Sequence, residues 1–262
     1  MLIATDIDGT LLPDGAGQVR TRTAGVLADA DRAGVPVVFV TGRPLRWMTG
    51  LWPHVGGHGR AIVSNGAVVY DVAEREVVRL AGLDAAVGLE LADVIRTRLP
   101  DAAFALECVD GIRIEDGFPG DHALPDGTPR GELSTLWSEP ALKLLVRYRD
   151  AVAPEEIHRT VAALVGDAAV CTWSAAGLLE ISAAGVTKAS ALAWLAERLG
   201  VAQDDVVAFG DMPNDVAMLR WAGRAYAVTG AHPDAVAAAD QLAPPCDDEG
   251  VAEVIARLLR AG

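Results

Sequence analysis

Two groups of aspartates carry the strongest chemical signal in the sequence. Asp6 and Asp8 stand two residues apart in the segment Asp-Ile-Asp-Gly-Thr, which begins directly after a short apolar run. Asp211 and Asp215 follow another apolar run near the other end of the chain. Carboxylates that lie close together repel one another unless a cation or a shared proton relieves the repulsion. Hard oxygen ligands of this kind favour Mg²⁺, which often binds substrate phosphate as well.

Each group also has a purely structural interpretation. An aspartate before glycine is common in turns, so Asp6 and Asp8 can serve as turn or helix caps. Asp211 and Asp215 suit the N-cap and first turn of a helix, where acidic side chains are favoured. Because both groups follow apolar runs at matching positions, we interpret them together as one metal-assisted catalytic site.

The elements that position these residues follow from the apolar pattern. Short apolar runs that end in polar or glycine residues span 2–5, 35–40, 61–63 and 206–209, and such runs predict buried parallel strands. Apolar and small residues at helical spacing predict a helix over 21–33. The alternation of strand and helix predicts an α/β fold, with a parallel sheet covered by helices on both faces.

The predicted strands end close to most of the reactive residues. In open parallel sheets, ligands bind at the carboxyl ends of the strands. The residues at or just beyond such ends are Asp6, Asp8, Thr41, Asn65 and Asp211. Residues far apart in the sequence are therefore expected to share one crevice.

The middle of the chain has a different order of predicted elements, with adjacent strands, which indicates an inserted α+β region. Its expected elements are a helix, a strand, a second helix and two adjacent strands, over 85–98, 141–148, 154–165, 169–173 and 178–182. The stretch 110–130 is rich in Gly, Pro and Asp and is predicted as loop or edge structure. We therefore predict a core domain of residues 1–83 and 185–262, and an inserted domain of residues 84–184.

Composition excludes several classes of function. The net charge of -14 argues against a nucleic-acid or anionic-membrane surface, since those partners attract basic patches. No apolar run is long enough to cross a membrane. The chain starts without a basic leader, and its 3 cysteines are scattered, which favours reduced thiols and a cytoplasmic protein. An acidic protein with a phosphorylated ligand needs local positive charge, from a metal or from a few basic residues.

Other catalytic patterns are weak. The sequence has no GxSxG elbow and no phosphate loop of the GxxxxGK type. Pro44 suits the first position of a helix. Trp47 and Trp52 are predicted as core residues on a helix face. Arg43 and Arg46 have two open interpretations, as substrate neighbours or as ordinary surface arginines.

Four segments in order resemble the motifs of the haloacid dehalogenase (HAD) superfamily of phosphatases. They are Asp6-Ile7-Asp8-Gly9-Thr10, Thr41-Gly42-Arg43, Lys188 with its neighbours, and Gly210-Asp211-Met212-Pro213-Asn214-Asp215. The position of the insert resembles the Cof-type subgroup with an α+β (C2-type) cap. The resemblance implies a HAD-like Rossmannoid core and a cap domain that closes over it to select the leaving group.

The resemblance also implies residue roles. Asp6 is the expected nucleophile and Asp8 the acid and base, while Thr41 and Lys188 hold the phosphoryl group. Magnesium is expected on the carboxylate of Asp6, the backbone carbonyl of Asp8, Asp211 and Asp215, with Asp215 either a direct or an indirect ligand. The expected substrate-binding residues are Thr41, Gly42, Arg43, Asn65, Lys188 and Asn214.

The function expected from the resemblance is hydrolysis of a small phosphorylated metabolite, a sugar phosphate above all, through an aspartyl-phosphate. A phosphotransferase or phosphomutase of the same superfamily is the first alternative, and a non-catalytic sugar-phosphate-binding protein is the second. Every expected catalytic group is present, which favours an enzyme. The sequence does not distinguish a monomer from a homodimer.

Overall fold

The computed structural model describes residues 1–119, 124–148, 153–175 and 177–261. The chain forms two compact units, which we call the core unit, Met1–Leu80 with Thr187–Gly262, and the inserted unit, Ala81–Val186. The sequence places the corresponding boundaries after residues 83 and 184. Among the residues described here, no helix is long and apolar enough to cross a membrane.

Strands and α-helices alternate near the two ends of the chain, and runs of consecutive strands lie between. The strands are β1 Leu2–Thr5, β2 Val37–Phe39, β3 Arg60–Val63, β4 Val68–Asp71, β5 Glu76–Leu80, β6 Ala103–Cys108, β7 Gly111–Glu115, β8 Arg130–Gly131, β9 Lys143–Arg147, β10 Ala169–Ala175, β11 Leu178–Ala183, β12 Val206–Gly210, β13 Arg224–Val228 and β14 Gln241–Ala243. The α-helices are α1 Thr21–Arg32, α2 Ala85–Arg98, α3 Leu133–Leu136, α4 Pro154–Val165, α5 Lys188–Arg198, α6 Val216–Trp221, α7 Pro233–Ala238 and α8 Gly250–Ala261.

A parallel sheet with strand order β14-β13-β12-β1-β2 forms the centre of the core unit. Strand β1 lies inside the sheet, between β12 and β2, and its apolar residues Leu2, Ile3 and Ala4 are fully buried. Leu192 and Leu195 of α5 pack in one cluster with Leu2. Burial of each such leucine contributes about 1.5–3 kcal/mol relative to exposure. The sheet confirms the predicted α/β fold with a parallel sheet.

The prediction that 61–63 is a further parallel strand is wrong, because most of the pairing of this strand is antiparallel. Strand β3 pairs antiparallel with β4, in a separate sheet of order β3-β4-β5. A single parallel bridge, Val40 to Ile62, links it to the end of β2. The cause is the turn after β3, where Ser64, Asn65 and Gly66 have φ values of 50°, 56° and 99° and reverse the chain at once.

The helix expected to open at Pro44 is only a 3₁₀ turn over Leu45–Trp47. Gly50 has a low helix propensity and Pro53 has no amide hydrogen to donate, so the sequence does not support a continued α-helix here. Trp47 is 45% exposed, which contradicts its prediction as a core residue. Trp52 stacks on Tyr70, with ring centroids 5.4 Å apart.

The inserted unit is built on a sheet of order β10-β11-β9-β6-β7-β8, which is antiparallel except for the pair β7–β8. Helices α2 and α4 begin and end where the sequence predicts. The stretch 110–130, predicted as loop or edge structure, begins as sheet-edge structure rather than as a loop. Strand β7 pairs with β6 through a tight turn before Gly111, and on its other side it meets the two-residue edge strand β8 at Ile114 and Glu115. Residues 120–123 of that stretch lie outside the described residues.

Candidate active site

The parallel sheet brings together the polar residues that follow β1, β2 and β12. The amide of Asp6 donates to the carbonyl oxygen of Phe209 at 3.0 Å, and the amide of Val40 donates to that of Thr5 at 2.9 Å. These bonds continue the sheet to the last residue of each strand. Asp6, Thr41 and Asp211 therefore start their loops from neighbouring points.

Three buried carboxylates form the centre of the site. Asp6, Asp211 and Asp215 each offer one oxygen, and these oxygens all lie within 4.8 Å of one another. The three residues are 5%, 8% and 0% exposed. The ammonium group of Lys188 donates to Asp6 Oδ1 and to Asp215 Oδ1, both at 2.6 Å. Two of the three carboxylates in this cluster thus contact the same ammonium group.

The first turn of α5 positions Lys188. Thr187 caps the helix, because its hydroxyl accepts from the Ser190 amide at 3.0 Å and its own amide donates to the Ser190 hydroxyl at 3.0 Å. A cation at a helix N-terminus opposes the helix dipole. The two carboxylates that Lys188 contacts offset this cost, which makes a charge-binding role the reason for its position.

Asp215 and Asp211 are held by the loop after β12. Asp215 Oδ2 accepts from the amides of Asp211 and Met212, both at 3.0 Å. Asp211 Oδ1 accepts from the hydroxyl of Thr10. Sequence reasoning did not assign this role to Thr10, although Thr10 is the last residue of the Asp-Ile-Asp-Gly-Thr segment.

Burial and neighbouring charges shift the pKa values of the residues in this cluster. Burial raises the pKa of Asp6 well above its ordinary value, Lys188 opposes this, and Asp215 adds to it by repulsion. Burial and repulsion from Asp215 likewise raise the pKa of Asp211 to about 7. Burial alone would lower the pKa of Lys188, but the attraction of Asp215 and Asp6 outweighs it and raises the pKa.

These observations fit a divalent cation of the hard type. A cation beside the three carboxylates would relieve the repulsion that raises the pKa values of Asp6 and Asp211. Carboxylate oxygens are the ligands that Mg²⁺ prefers in proteins. Asp6, Asp211 and Asp215 are therefore the side chains that could hold the ion.

Asp8 lies outside this cluster of three carboxylates. Its two oxygens accept from Arg43, Oδ2 from Nε at 2.7 Å and Oδ1 from Nη2 at 2.6 Å. The backbone amide of Gly15 donates to Oδ1 at 3.2 Å. Arg43 is only 7% exposed, so it is not an ordinary surface arginine.

A second group of predicted residues meets around Gly42. Asn214 Nδ2 donates to Asn65 Oδ1 at 3.1 Å, and a β-carbon on Gly42 would lie 3.0 Å from that same oxygen. Asn65 adopts its left-handed conformation in the turn after β3. The Oδ1 atom of Asn214 is buried and has no hydrogen-bond partner among the described residues. Thr41 is also buried, and its hydroxyl oxygen accepts from the Arg43 amide at 3.0 Å.

The comparison with protein families agrees with this arrangement. A family model described as haloacid dehalogenase-like hydrolase matches residues 3–255. The chain therefore belongs to the haloacid dehalogenase-like hydrolases, which confirms the resemblance carried by its motifs.

Individual relatives are similar over nearly their whole length. A phosphoglycolate phosphatase of Halorubrum lacusprofundi is 29% identical, over 98% of this chain and 96% of the relative. An HMP-PP phosphatase of Yersinia pseudotuberculosis is 32% identical, over 97% of this chain and 93% of the relative. The solved structure of a HAD subclass IIB sugar phosphatase superposes with a TM-score of 0.81 at 19% identity, over 98% of each chain, and supports the fold. The protein is a phosphatase of this superfamily.

Proposed function

We propose that this phosphatase is a Mg²⁺-dependent phosphomonoester hydrolase that acts on a small phosphorylated metabolite through an aspartyl-phosphate on Asp6. The observation that carries the proposal is the position of Lys188, whose ammonium group contacts Asp6 and Asp215 at 2.6 Å while fully buried. Buried positive charge beside a carboxylate allows that carboxylate to approach an anionic phosphoryl group.

In the first step, a carboxylate oxygen of Asp6 attacks phosphorus and forms an acyl-phosphate bond. The bond between phosphorus and the ester oxygen breaks, and that oxygen takes a proton from Asp8 and leaves as an alcohol. Dividing one displacement into two steps through a carboxylate is covalent catalysis. Proton transfer to the leaving group is general acid catalysis, which contributes about 10²–10⁴-fold to a rate.

In the second step, water attacks the phosphorus of the aspartyl-phosphate and gives a proton to Asp8. The bond between phosphorus and the Asp6 oxygen breaks, inorganic phosphate leaves, and the Asp6 carboxylate is restored. One ester and one water thus give one alcohol and one phosphate, and Asp8 ends each cycle with the proton with which it began.

The remaining predicted residues bind the phosphoryl oxygens in this proposal. The hydroxyl of Thr41 and the backbone of Gly42 donate hydrogen bonds to the phosphoryl oxygens. A side chain at Gly42 would crowd Asn65. Asn214 supports the same surface through its bond to Asn65. Lys188 neutralises charge as it develops. Direct contact of Arg43 with the substrate stays a prediction.

Magnesium completes the charge balance of the proposed site. Asp6, Asp211 and Asp215 would hold it, with the backbone carbonyl of Asp8 as a further predicted ligand. When bound, the ion supplies positive charge to the phosphoryl oxygens. The raised pKa values of Asp6 and Asp211 support a cation at this place.

The names of the relatives support the proposed substrate class. The two relatives are phosphatases of phosphoglycolate and HMP-PP by name, and the structural neighbour is a sugar phosphatase. All three names support a small phosphorylated substrate, and we propose a sugar phosphate. The inserted unit would serve as the cap domain that selects the leaving group. The free thiols of Cys108, Cys171 and Cys246 support a reducing compartment such as the cytoplasm.

The test is release of inorganic phosphate from p-nitrophenyl phosphate and from a panel of phosphorylated metabolites, with Mg²⁺ and with EDTA. We expect metal-dependent release that Asp6→Asn abolishes without loss of cooperative unfolding. The exposed Asp29→Asn serves as the matched control and should retain full activity. Substantial magnesium-dependent turnover by Asp6→Asn would overturn the covalent mechanism. Transfer of phosphate to an added sugar in preference to water would replace the hydrolase with a phosphotransferase.

A further inference from the structure

The strongest unassigned feature of the core unit is the paired hydrogen bond between Arg43 and Asp8. Nε and Nη2 of one guanidinium bind the two oxygens of one carboxylate, at 2.7 Å and 2.6 Å. Such two-point pairing fixes the plane of the carboxylate as well as its position, which a single-point contact does not. The Asp8 side chain is 36% exposed, whereas that of Arg43 is 7% exposed. The more buried partner therefore holds the more accessible one.

Arg43 is itself held from three sides. Its Nη2 donates to the carbonyl oxygen of Ala16 at 2.8 Å, in the loop that follows β1. Its amide donates to the hydroxyl of Thr41 at 3.0 Å. Its carbonyl oxygen accepts from the amide of Ser64 at 3.0 Å, in the reversed turn after β3. The arginine thus links three loops of the candidate site before it contacts any ligand.

We infer that Arg43 is a positioning residue, which orients the carboxylate of Asp8 for its two proton transfers. The inference rests on the proposed function of Asp8 as the acid and base. Oδ1 of Asp8 accepts from two donors, Nη2 of Arg43 and the Gly15 amide, whereas Oδ2 accepts from Nε of Arg43, which leaves an acceptor site on Oδ2 for a proton. Nε and Nη2 are committed to Asp8 and Ala16, so these two nitrogens serve the protein and not the substrate.

The inference predicts a specific dependence on the leaving group. Proton donation matters most when the departing oxygen is a poor leaving group, as in an alkyl phosphate. It matters least for 2,4-dinitrophenyl phosphate, whose leaving group departs as a stable anion. Loss of Arg43 should therefore lower kcat/KM for alkyl phosphates more than kcat/KM for the activated ester, because kcat/KM reports the first step, whereas the second step is the same for both esters. A merely structural role would lower both rates alike.

The first experiment measures kcat and KM for Arg43→Gln, Asp8→Asn and the double variant, with an alkyl phosphate and with 2,4-dinitrophenyl phosphate. We expect Arg43→Gln to lower kcat for the alkyl ester by about 10–100-fold, a part of what acid catalysis provides, with KM little changed. The double variant should be no slower than Asp8→Asn alone, because a residue that acts through another adds nothing once that other is gone. Arg43→Lys should lie between, since lysine keeps the charge but not the paired geometry.

Additive losses in the double variant, or a rise in KM at unchanged kcat, would instead show that Arg43 binds the substrate directly. Arg32→Gln, at an exposed arginine of α1, is the matched control and should have no effect on either ester.

A second experiment is independent of turnover, so it applies even if the wild type hydrolyses none of the esters and the proposed function fails. A crystal structure of Arg43→Gln should show the Asp8 carboxylate turned away from its wild-type direction. An Asp8 side chain that keeps its wild-type direction without Arg43 would overturn the inference. If the wild type is inactive and Asp8 is displaced in Arg43→Gln, the proposed hydrolase function is rejected, but the role of Arg43 in positioning Asp8 is retained.

Discussion

Gly210 faces Asp215 so closely that a β-carbon on Gly210 would lie 2.5 Å from the Cβ of Asp215 and 2.6 Å from its Cγ. Asp215 has no room to retreat. Its Oδ2 is held by two backbone amides at 3.0 Å, and its Oδ1 is held by Lys188. The last residue of β12 must therefore be glycine for the carboxylate cluster to form.

Gly210→Ala tests this steric relationship. Overpacking at such a site destabilises a protein by about 1–3 kcal/mol, and we expect a loss of that size in urea unfolding. The affinity for Mg²⁺, measured by calorimetric titration, should also fall because Asp215 must move. Gly25→Ala is the matched control: Gly25 lies in α1 and nothing would lie within 4 Å of its β-carbon. That change should stabilise the helix by about 0.5–1 kcal/mol. Equal stability and magnesium affinity for Gly210→Ala and wild type would contradict the steric argument.

Lys188→Met tests the charge balance of the cluster. Breaking a buried ion pair from one side costs about 3–5 kcal/mol, because the partner charge stays buried and uncompensated. We expect a loss of this order in the free energy of unfolding, measured in EDTA, together with loss of phosphate release. Adding Asp6→Asn to Lys188→Met should recover part of the stability and none of the activity. If the double variant is less stable than Lys188→Met, repulsion between the carboxylates is not the cause of the stability lost in Lys188→Met.

The stability of the metal-free protein should depend on pH in an unusual direction. The pKa of Asp211 is about 7 in the folded protein, against an ordinary value of 3.8. Between these values the folded state binds more protons than the unfolded state, so stability is greatest at the acidic end and falls as pH rises through 7. The raised pKa of Asp6 acts in the same sense.

Thermal unfolding in EDTA from pH 4.5 to 8 measures this effect when the wild type is compared with Asp211→Asn. The contribution of Asp211 is the part of the pH dependence that this substitution removes. Adding Mg²⁺ should stabilise the protein more at pH 8 than at pH 5.5, because the ion and the protons compete for the same oxygens. If Mg²⁺ stabilises the protein equally at both pH values, Mg²⁺ binding does not require Asp211 to lose its proton.

The positions of Asp6, Thr41 and Asp211 were predictable because each follows a buried apolar run. The parallel pairing of β1 with β2 and β12 then brings these strand ends together. The direction of β3 was not predictable in the same way. An apolar run of three residues has the same pattern in a parallel and an antiparallel strand, and the direction is set by the left-handed Ser64 and Asn65.

Side-chain partners were harder to predict than strand ends. The pairing of Arg43 with Asp8 joins residues from two loops, and its geometry depends on where β1 and β2 end. The exposure of Trp47 has a similar origin, because its helical turn stops after three residues and leaves no helix face to bury. The hairpin of β6 and β7 did carry a signal, the Asp110-Gly111 pair, which begins the stretch that the sequence predicts as loop or edge structure.

The assembly of the core unit from both ends of the chain has a consequence for its biosynthesis. Strand β1 is synthesised long before its partner β12, which begins at Val206. Until then the edge of β1 that pairs with β12 is open, and open edges of mainly apolar strands invite pairing with other chains. A ribosome-bound chain therefore carries Asp6 long before it gains Lys188, Asp211 and Asp215. Premature termination before β12 would yield an aggregation-prone fragment and never a partly active enzyme.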